Sequence, residues 1–104
     1  MESIYEKTLL FDFYGELLTE RQRDIFREVV FDDCSLGEVA EAHGISRQGV
    51  HDMVRRSEKA LRGYEEKLGL VKKFLYIRER AERIRETAKE ETTSALAREI
   101  LEVL

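Results

Sequence analysis

Between residues 35 and 68 the alternation of apolar and polar positions takes on a helical period. Leu36, Val39, Ala40 and His43 recur at i, i+3, i+4 and i+7, which places them on one face of a helix. After Gly44, the positions Val50, Val54, Ser57, Leu61, Tyr64 and Leu68 follow in alternating steps of four and three, a second inward face. Ile45 is placed to plug the corner between them, and Ala40 is small where the two helices cross. Capping signals bound both segments. Ser35 with Glu38 forms a capping box for the first, which ends near Ala42–His43 with Gly44 as its left-handed terminator. Ser46 caps the second, which runs to about Leu68 with Gly69 beyond it. Two amphipathic helices joined at a glycine corner predict a helix-turn-helix over 35–62.

The same reading extends to the rest of the chain. Residues 4–18 carry Ile4, Tyr5, Leu9, Leu10, Phe11, Phe13, Tyr14, Leu17 and Leu18, apolar on nearly every side of a helix, which predicts burial against several neighbours. Thr19 with Gln22 is a further capping box, opening a helix through about Phe31, and Asp32–Asp33 lie in the connection after it. A fifth helix is expected from about Leu70 to Glu91. Thr92, Thr93 and Ser94 then interrupt the pattern, with Ser94 capping a short tail helix that holds Leu96, Ile100 and Val103. Along the fifth helix, Leu70, Phe74, Ile77, Ala81, Ile84 and Ala88 form a heptad-spaced seam flanked by Lys73, Arg78, Arg80 and Arg85. In a self-paired coil these cations would face their own kind, so the seam is expected to pack on the acidic, apolar N-terminal segment of the same chain or of a partner subunit. The expected organisation is an all-α helix-turn-helix bundle without a wing, at 1–69, and an extended C-terminal helical segment at 70–104 that packs on it or on a partner subunit.

Composition narrows the chemistry. The 104 residues contain no proline and six glycines, which fits helices with short connections. The single cysteine, Cys34, excludes an internal disulfide and suits a reducing compartment. No signal-peptide pattern opens the chain and no apolar run approaches the ~20 residues of a bilayer span, so a cytoplasmic protein with no membrane partner is expected. His43, His51 and Cys34 lack metal-ligand spacing, and no phosphate-cradling glycine loop or nucleophile elbow is present, so no metal, cofactor or catalytic site is expected.

What remains is a surface. On the outward side of the second helix of the helix-turn-helix lie Gln48, His51, Asp52, Arg55, Lys59 and Arg62, with Ser46 and Arg47 at its start and Arg56 beside them. Residues 46–62 carry five basic and two acidic side chains. Gln and Arg near the N-terminus of such a helix can pair with base edges in a major groove, whereas Lys59 and Arg62 reach only phosphates. Gly49 in the first turn costs ~1 kcal/mol against alanine, which suggests a close approach there. The surrounding charge opposes this face: residues 19–45 hold seven acidic and three basic side chains, and the formal net charge is -4. Strong nucleic-acid binders are usually basic, so one module is expected to bind weakly alone, and a homodimer is the expected working form.

The stretches LFDFYGELLTERQRDIF, DDCSLGEVAEAHGISRQGVHDMVRRSEKAL and YEEKL resemble the YlxM family of small bacterial helix-turn-helix proteins, itself similar to region 4 of sigma factors. The resemblance covers roughly residues 9–75 and implies a cytoplasmic, all-α protein associated with the signal recognition particle pathway. It implies regulation, or contact with the particle's RNA or GTPase. The family's recognition-helix SRQ falls on Ser46, Arg47 and Gln48, and its RR pair on Arg55 and Arg56. The leading expectation is a nucleic-acid-binding regulatory or accessory factor of that pathway. The alternatives are a dimeric, sequence-specific DNA-binding regulator and a module that contacts the GTPase without nucleic acid.

Overall fold

A computed structural model describes residues 3–104. Six helices account for nearly all of them: α1 (Ile4–Tyr14), α2 (Glu20–Val30), α3 (Leu36–His43), α4 (Arg47–Leu68), α5 (Leu70–Thr87) and α6 (Glu91–Val103), with a single 3-10 turn at Gly15–Leu17. No strand occurs among the described residues. The chain divides into two compact units, Met1–Leu68 and Gly69–Leu104.

Local chemistry sets the boundaries of the first unit. The Thr19 hydroxyl accepts from the Gln22 N–H while the Gln22 side chain accepts from the Thr19 N–H, and Ser35 with Glu38 repeats the arrangement at α3. Ser46 likewise accepts from the Gly49 N–H at 2.9 Å, as its position before α4 predicts. Gly44 adopts φ 66°, ψ 36°; its N–H bonds to the carbonyls of Ala40 and Glu41, and the Ile45 N–H bonds to Ala40. This paired closure satisfies the last carbonyls of α3 and turns the chain into α4.

Two apolar assemblies hold the unit together. Ile25, Val39, Ala40 and Val50 bring α2, α3 and α4 into one buried cluster, with Val29, Cys34, Ile45, Met53 and Val54 around it. Beside it, Phe11 stacks on Phe26 at 5.5 Å between ring centroids, and Phe31 meets both rings edge-on at 5.3 and 5.8 Å. Helices α1 and α4 are tied at two levels seven residues apart. Lys7 pairs with Glu58 at 3.2 Å, and the buried Tyr14 hydroxyl donates to Glu65 Oε1 at 2.6 Å. The matching spacing means that the two helices run parallel. Because α1 ends at Tyr14, level with Glu65, the last turn of α4 outruns it and Leu68 is exposed rather than inward. The apolar opening is also less enclosed than its composition predicts. Leu9, Leu10, Tyr14 and Leu18 are buried, whereas Ile4, Tyr5, Phe13 and Leu17 are exposed.

The second unit is an antiparallel hairpin of α5 and α6. Its break differs in position from the sequence expectation. Helix α5 ends at Thr87 rather than Glu91, where Ala88 turns to an extended conformation and the Thr87 hydroxyl caps the Arg83 carbonyl at 2.6 Å. Thr92, Thr93 and Ser94 do not interrupt a helix. They occupy the first turn of α6, with the Ser94 N–H bonded to the Glu90 carbonyl. The first turn leaves backbone donors without helical partners, so short hydroxyl side chains are tolerated there. Of the α5 seam, Ala81 is buried and Phe74 and Ala88 are half-buried, while Leu70, Ile77 and Ile84 stay exposed; Val71, outside the seam, is buried as well.

Candidate nucleic-acid interface

Helices α3 and α4, with the Gly44 corner between them, form the helix-turn-helix unit that the spacing predicts. Side-chain bonds brace it from α2. Arg21 donates to the His43 carbonyl at 3.2 Å, and Glu28 pairs with the His43 ring at 3.1 Å, so the C-terminus of α3 is held where α4 begins. Cys34 lies half-buried in the connection before α3, against the apolar cluster. Burial pushes its thiol up, and the carboxylates of Glu38, Asp32, Glu28 and Asp33 push it further. Hydrogen bonds from the Ser35 backbone and side chain hold the Glu38 carboxyl below its ordinary range, as its capping role requires.

At the start of α4, glycines shape what the side chains do. A Cβ built on Gly49 would lie 3.2 Å from the Ser46 hydroxyl and 3.8 Å from Ile45. The close approach at Gly49 is therefore internal, to the helix's own capping group; Gln22 and Glu38 carry a Cβ at the equivalent position of their caps, so a small shift of the Ser46 hydroxyl would admit one. Gly37 has the matching role for Arg47. A Cβ there would stand 3.2 Å from Arg47 Nε and 3.3 Å from Nη2, so the guanidinium lies across the first turn of α3. Arg47 thus stands at the junction of the two helices, exposed but directed.

The next residues restrain one another. Gln48 donates its amide to Asp52 Oδ1 at 2.9 Å, one turn along, and His51 Nδ1 stands 3.9 Å from the same oxygen. For Gln48 to donate to a base it must leave Asp52. Beyond them the outer face of α4 continues as a shallow groove lined by Asp52, Arg55, Arg56, Glu58, Lys59, Arg62, Gly63 and Glu66. Glu58 is already paired with Lys7. Among the described residues no carboxylate comes within ion-pair distance of Arg55, Arg56 or Lys59. Elsewhere in the unit Lys7, Arg23 and Arg27 are each neutralised by a carboxylate at 3.2, 3.1 and 2.8 Å, while among the described residues Arg21, Arg47 and Lys67 pair with none.

Of the residues expected at the site, Gln48, His51, Asp52, Arg55, Arg56, Lys59 and Arg62 share one exposed side of α4, and the side chain of Arg47, the first residue of α4, lies apart over the first turn of α3. Ser46 is spent on the cap. Sequence reasoning missed Gly63 and Glu66, although the i+3, i+4, i+7 count from Asp52, carried one turn further, reaches both. It also missed the seat of Arg47 on Gly37, for which a lone glycine in a first turn is the only signal. Among the described residues no group of three or more His, Cys, Asp or Glu side chains is placed to hold a metal ion, and no helix is long and apolar enough to cross a membrane.

A family model described as "Putative helix-turn-helix protein, YlxM / p13 like", UPF0122, matches residues 1–100. The chain is 54% identical over 79 residues to a UPF0122 protein of Caldanaerobacter subterraneus, covering 76% of this chain and 68% of that one. It is 46% identical over 104 residues to one of Acetivibrio thermocellus, covering 100% and 89%. With a UPF0122 protein of Listeria welshimeri it shares 49% identity over 75 residues, 68% of each chain. A match across nearly the whole chain, including the helix-turn-helix and the C-terminal hairpin, bears out the resemblance that the sequence motifs carry: the chain belongs to the UPF0122 family of YlxM / p13-like helix-turn-helix proteins.

Proposed function

We propose that this protein is a nucleic-acid-binding accessory or regulatory factor of the signal recognition particle pathway, working through the outer face of α4. The observation that carries the reading is the line of cations Arg55, Arg56 and Lys59 on the second helix of the helix-turn-helix, none within ion-pair distance of a carboxylate among the described residues, whereas Lys7, Arg23 and Arg27 on α1 and α2 are paired. Charge left without a carboxylate in so acidic a chain is available to phosphate. Arg47, Gln48 and His51 at the N-terminal end of the helix are the residues for base edges, and Arg55, Arg56, Lys59 and Arg62 for the backbone. The pathway rests on the family resemblance, and the surface rests on the residues.

The balance of charge also limits affinity. The groove that holds four cations includes Asp52, Glu58 and Glu66, so binding at physiological salt is weak for a single copy. Those carboxylates, and the Gln48–Asp52 bond, support a second reading in which the mixed-charge face meets a protein, the particle's GTPase. A competition experiment separates them: the full chain is titrated against the particle's RNA, duplex DNA and the purified GTPase at several salt concentrations. Nucleic-acid binding whose salt slope falls by about 1.5 on changing Arg55 and Arg56 to Ala supports the first reading. Selective duplex binding lost on Arg47→Ala directs it to DNA. Binding to the GTPase with no salt-dependent binding to either nucleic acid refutes it.

A further inference from the structure

The α5–α6 hairpin leaves much of its apolar surface uncovered. Leu70, Ile77 and Ile84 on α5 are 39, 38 and 42% exposed, and Leu96 and Ile100 on α6 are 56 and 41% exposed. On α5 the first three lie within about 60° of the buried Ala81, all displaced in the same rotational sense. On α6 the other two are displaced in that same sense from the buried Ala97. In an antiparallel pair an equal rotational sense on both helices means the same side of the hairpin. The five residues therefore form one broad apolar face, two stripes side by side. Together they expose roughly 400 Å², within the range of the largest apolar patch a typical monomer carries. A standard interface takes ~800 Å² from each partner, so with its rim this face is of the right size.

Charge selects the occupant. Helix α5 holds six basic and three acidic side chains, whereas residues 89–104 hold two basic and four acidic ones. On the α5 edge of the face stand Lys73 and Arg80; on the α6 edge stands Glu99. Arg80 pairs with its neighbour Glu79 and stacks over Tyr76 at 4.5 Å, while Lys73 and Glu99 have no ion-pair partner among the described residues. Pairing α5 with another α5 would set cations against cations. A two-fold axis parallel to the helices instead lays α5 of one copy on α6 of the other, basic edge on acidic edge, twice over. The heights agree as well. Lys89 is at the centre of the turn, Arg80 lies nine residues before it and Glu99 ten after, so the two stand level on the hairpin.

We infer that this face is a self-association surface, on which two copies of the chain dock their hairpins face to face into a four-helix assembly with α5 seated on the partner's α6. The contact is isologous and closed, so it stops at two copies. It joins two α4 surfaces in one particle, which multiplies weak contacts with a nucleic acid without any new contact.

Sedimentation equilibrium of the full chain at micromolar concentration tests this, with Ile77→Glu, Ile100→Glu, Arg80→Glu and Glu99→Arg made singly and the last two together. The wild type is expected at twice the 12.2 kDa chain mass. Either isoleucine variant should raise the dimer dissociation constant by more than about tenfold, because an unpaired carboxylate is forced into an apolar contact. Arg80→Glu should weaken the dimer, and adding Glu99→Arg should restore it; this rescue also shows that the variants fold. A monomeric wild type, dissociation constants unmoved by the isoleucine variants, or a charge swap that fails to rescue would each overturn the proposal.

Discussion

Gly37→Ala gives a sharp test of how α3 and α4 meet. In the second helical position of α3, alanine is favoured over glycine by up to ~1 kcal/mol, through helix propensity and the smaller freedom of the unfolded chain. Against this stands the contact of the new Cβ at 3.2–3.3 Å from the Arg47 guanidinium. The obstacle is the far end of a flexible, exposed side chain, which can swing aside, losing only its seat on α3. The net expectation is a stabilisation of about 0.5 kcal/mol, a rise of a few degrees in Tm for a unit of this size. In an Arg47→Ala background nothing obstructs the methyl group, and the same substitution should gain a few tenths of a kcal/mol more. Thermal denaturation of the four chains, followed by far-UV circular dichroism, closes the cycle. A fall of several degrees in the wild-type background would show that Arg47 is locked rather than resting. Equal gains in both backgrounds would show that the guanidinium does not lie over Gly37 at all.

Three other substitutions probe the scaffold. Ser57 is fully buried on α4 and its hydroxyl has no hydrogen-bond partner, so Ser57→Ala should stabilise the protein by about 1 kcal/mol in denaturant unfolding; a loss of stability would reveal a partner for the hydroxyl. Gly44→Ala should cost about 1–2 kcal/mol in the same assay: a Cβ there meets nothing within 4 Å, so the cost is that of the left-handed φ alone, and a neutral result would mean that the corner relaxes. The Glu38 carboxyl is held below its usual 4.5, so its contribution is complete above that value and is lost as the pH falls through the lowered one. Glu38→Gln should accordingly flatten the acid limb of the stability profile, and an unchanged limb would count against the capping bond as its source.

The parts of this molecule that were legible in the sequence are those decided within four residues. The Thr19–Gln22 and Ser35–Glu38 caps, the Ser46 cap and the Gly44 corner are bonds between near neighbours, and each forms as its residues predict. The inward faces of α3 and α4 follow from periodicity for the same reason, except at their ends, where Leu36 and Leu68 are exposed. The break at Ala88–Glu90 escaped because Ala, Lys and Glu are good helix formers, while the Thr-Thr-Ser that imitates a break falls where a first turn accepts it. The outer face of α4 was readable as a list of residues but not as a set of interactions. The tie between Gln48 and Asp52 depends on rotamers, and the placing of Arg47 over Gly37 depends on the angle between two helices, which no local pattern states. The uneven burial of residues 4–18 is likewise a matter of where α1 stops relative to α4.

The connections between helices carry a kinetic consequence. Each helix packs chiefly on ones close to it in sequence, α2 with α3 and α4, α5 with α6, and α1 is the element that closes over a long span. Such contacts need little loop closure before they form, and the chain has no proline whose isomerisation could delay them. Refolding from denaturant should therefore lack any phase of tens of seconds, with the joining of Tyr14 to Glu65 among the last events. A protein of this topology recovers quickly each time it opens, so modest stability suffices to keep its helix-turn-helix assembled.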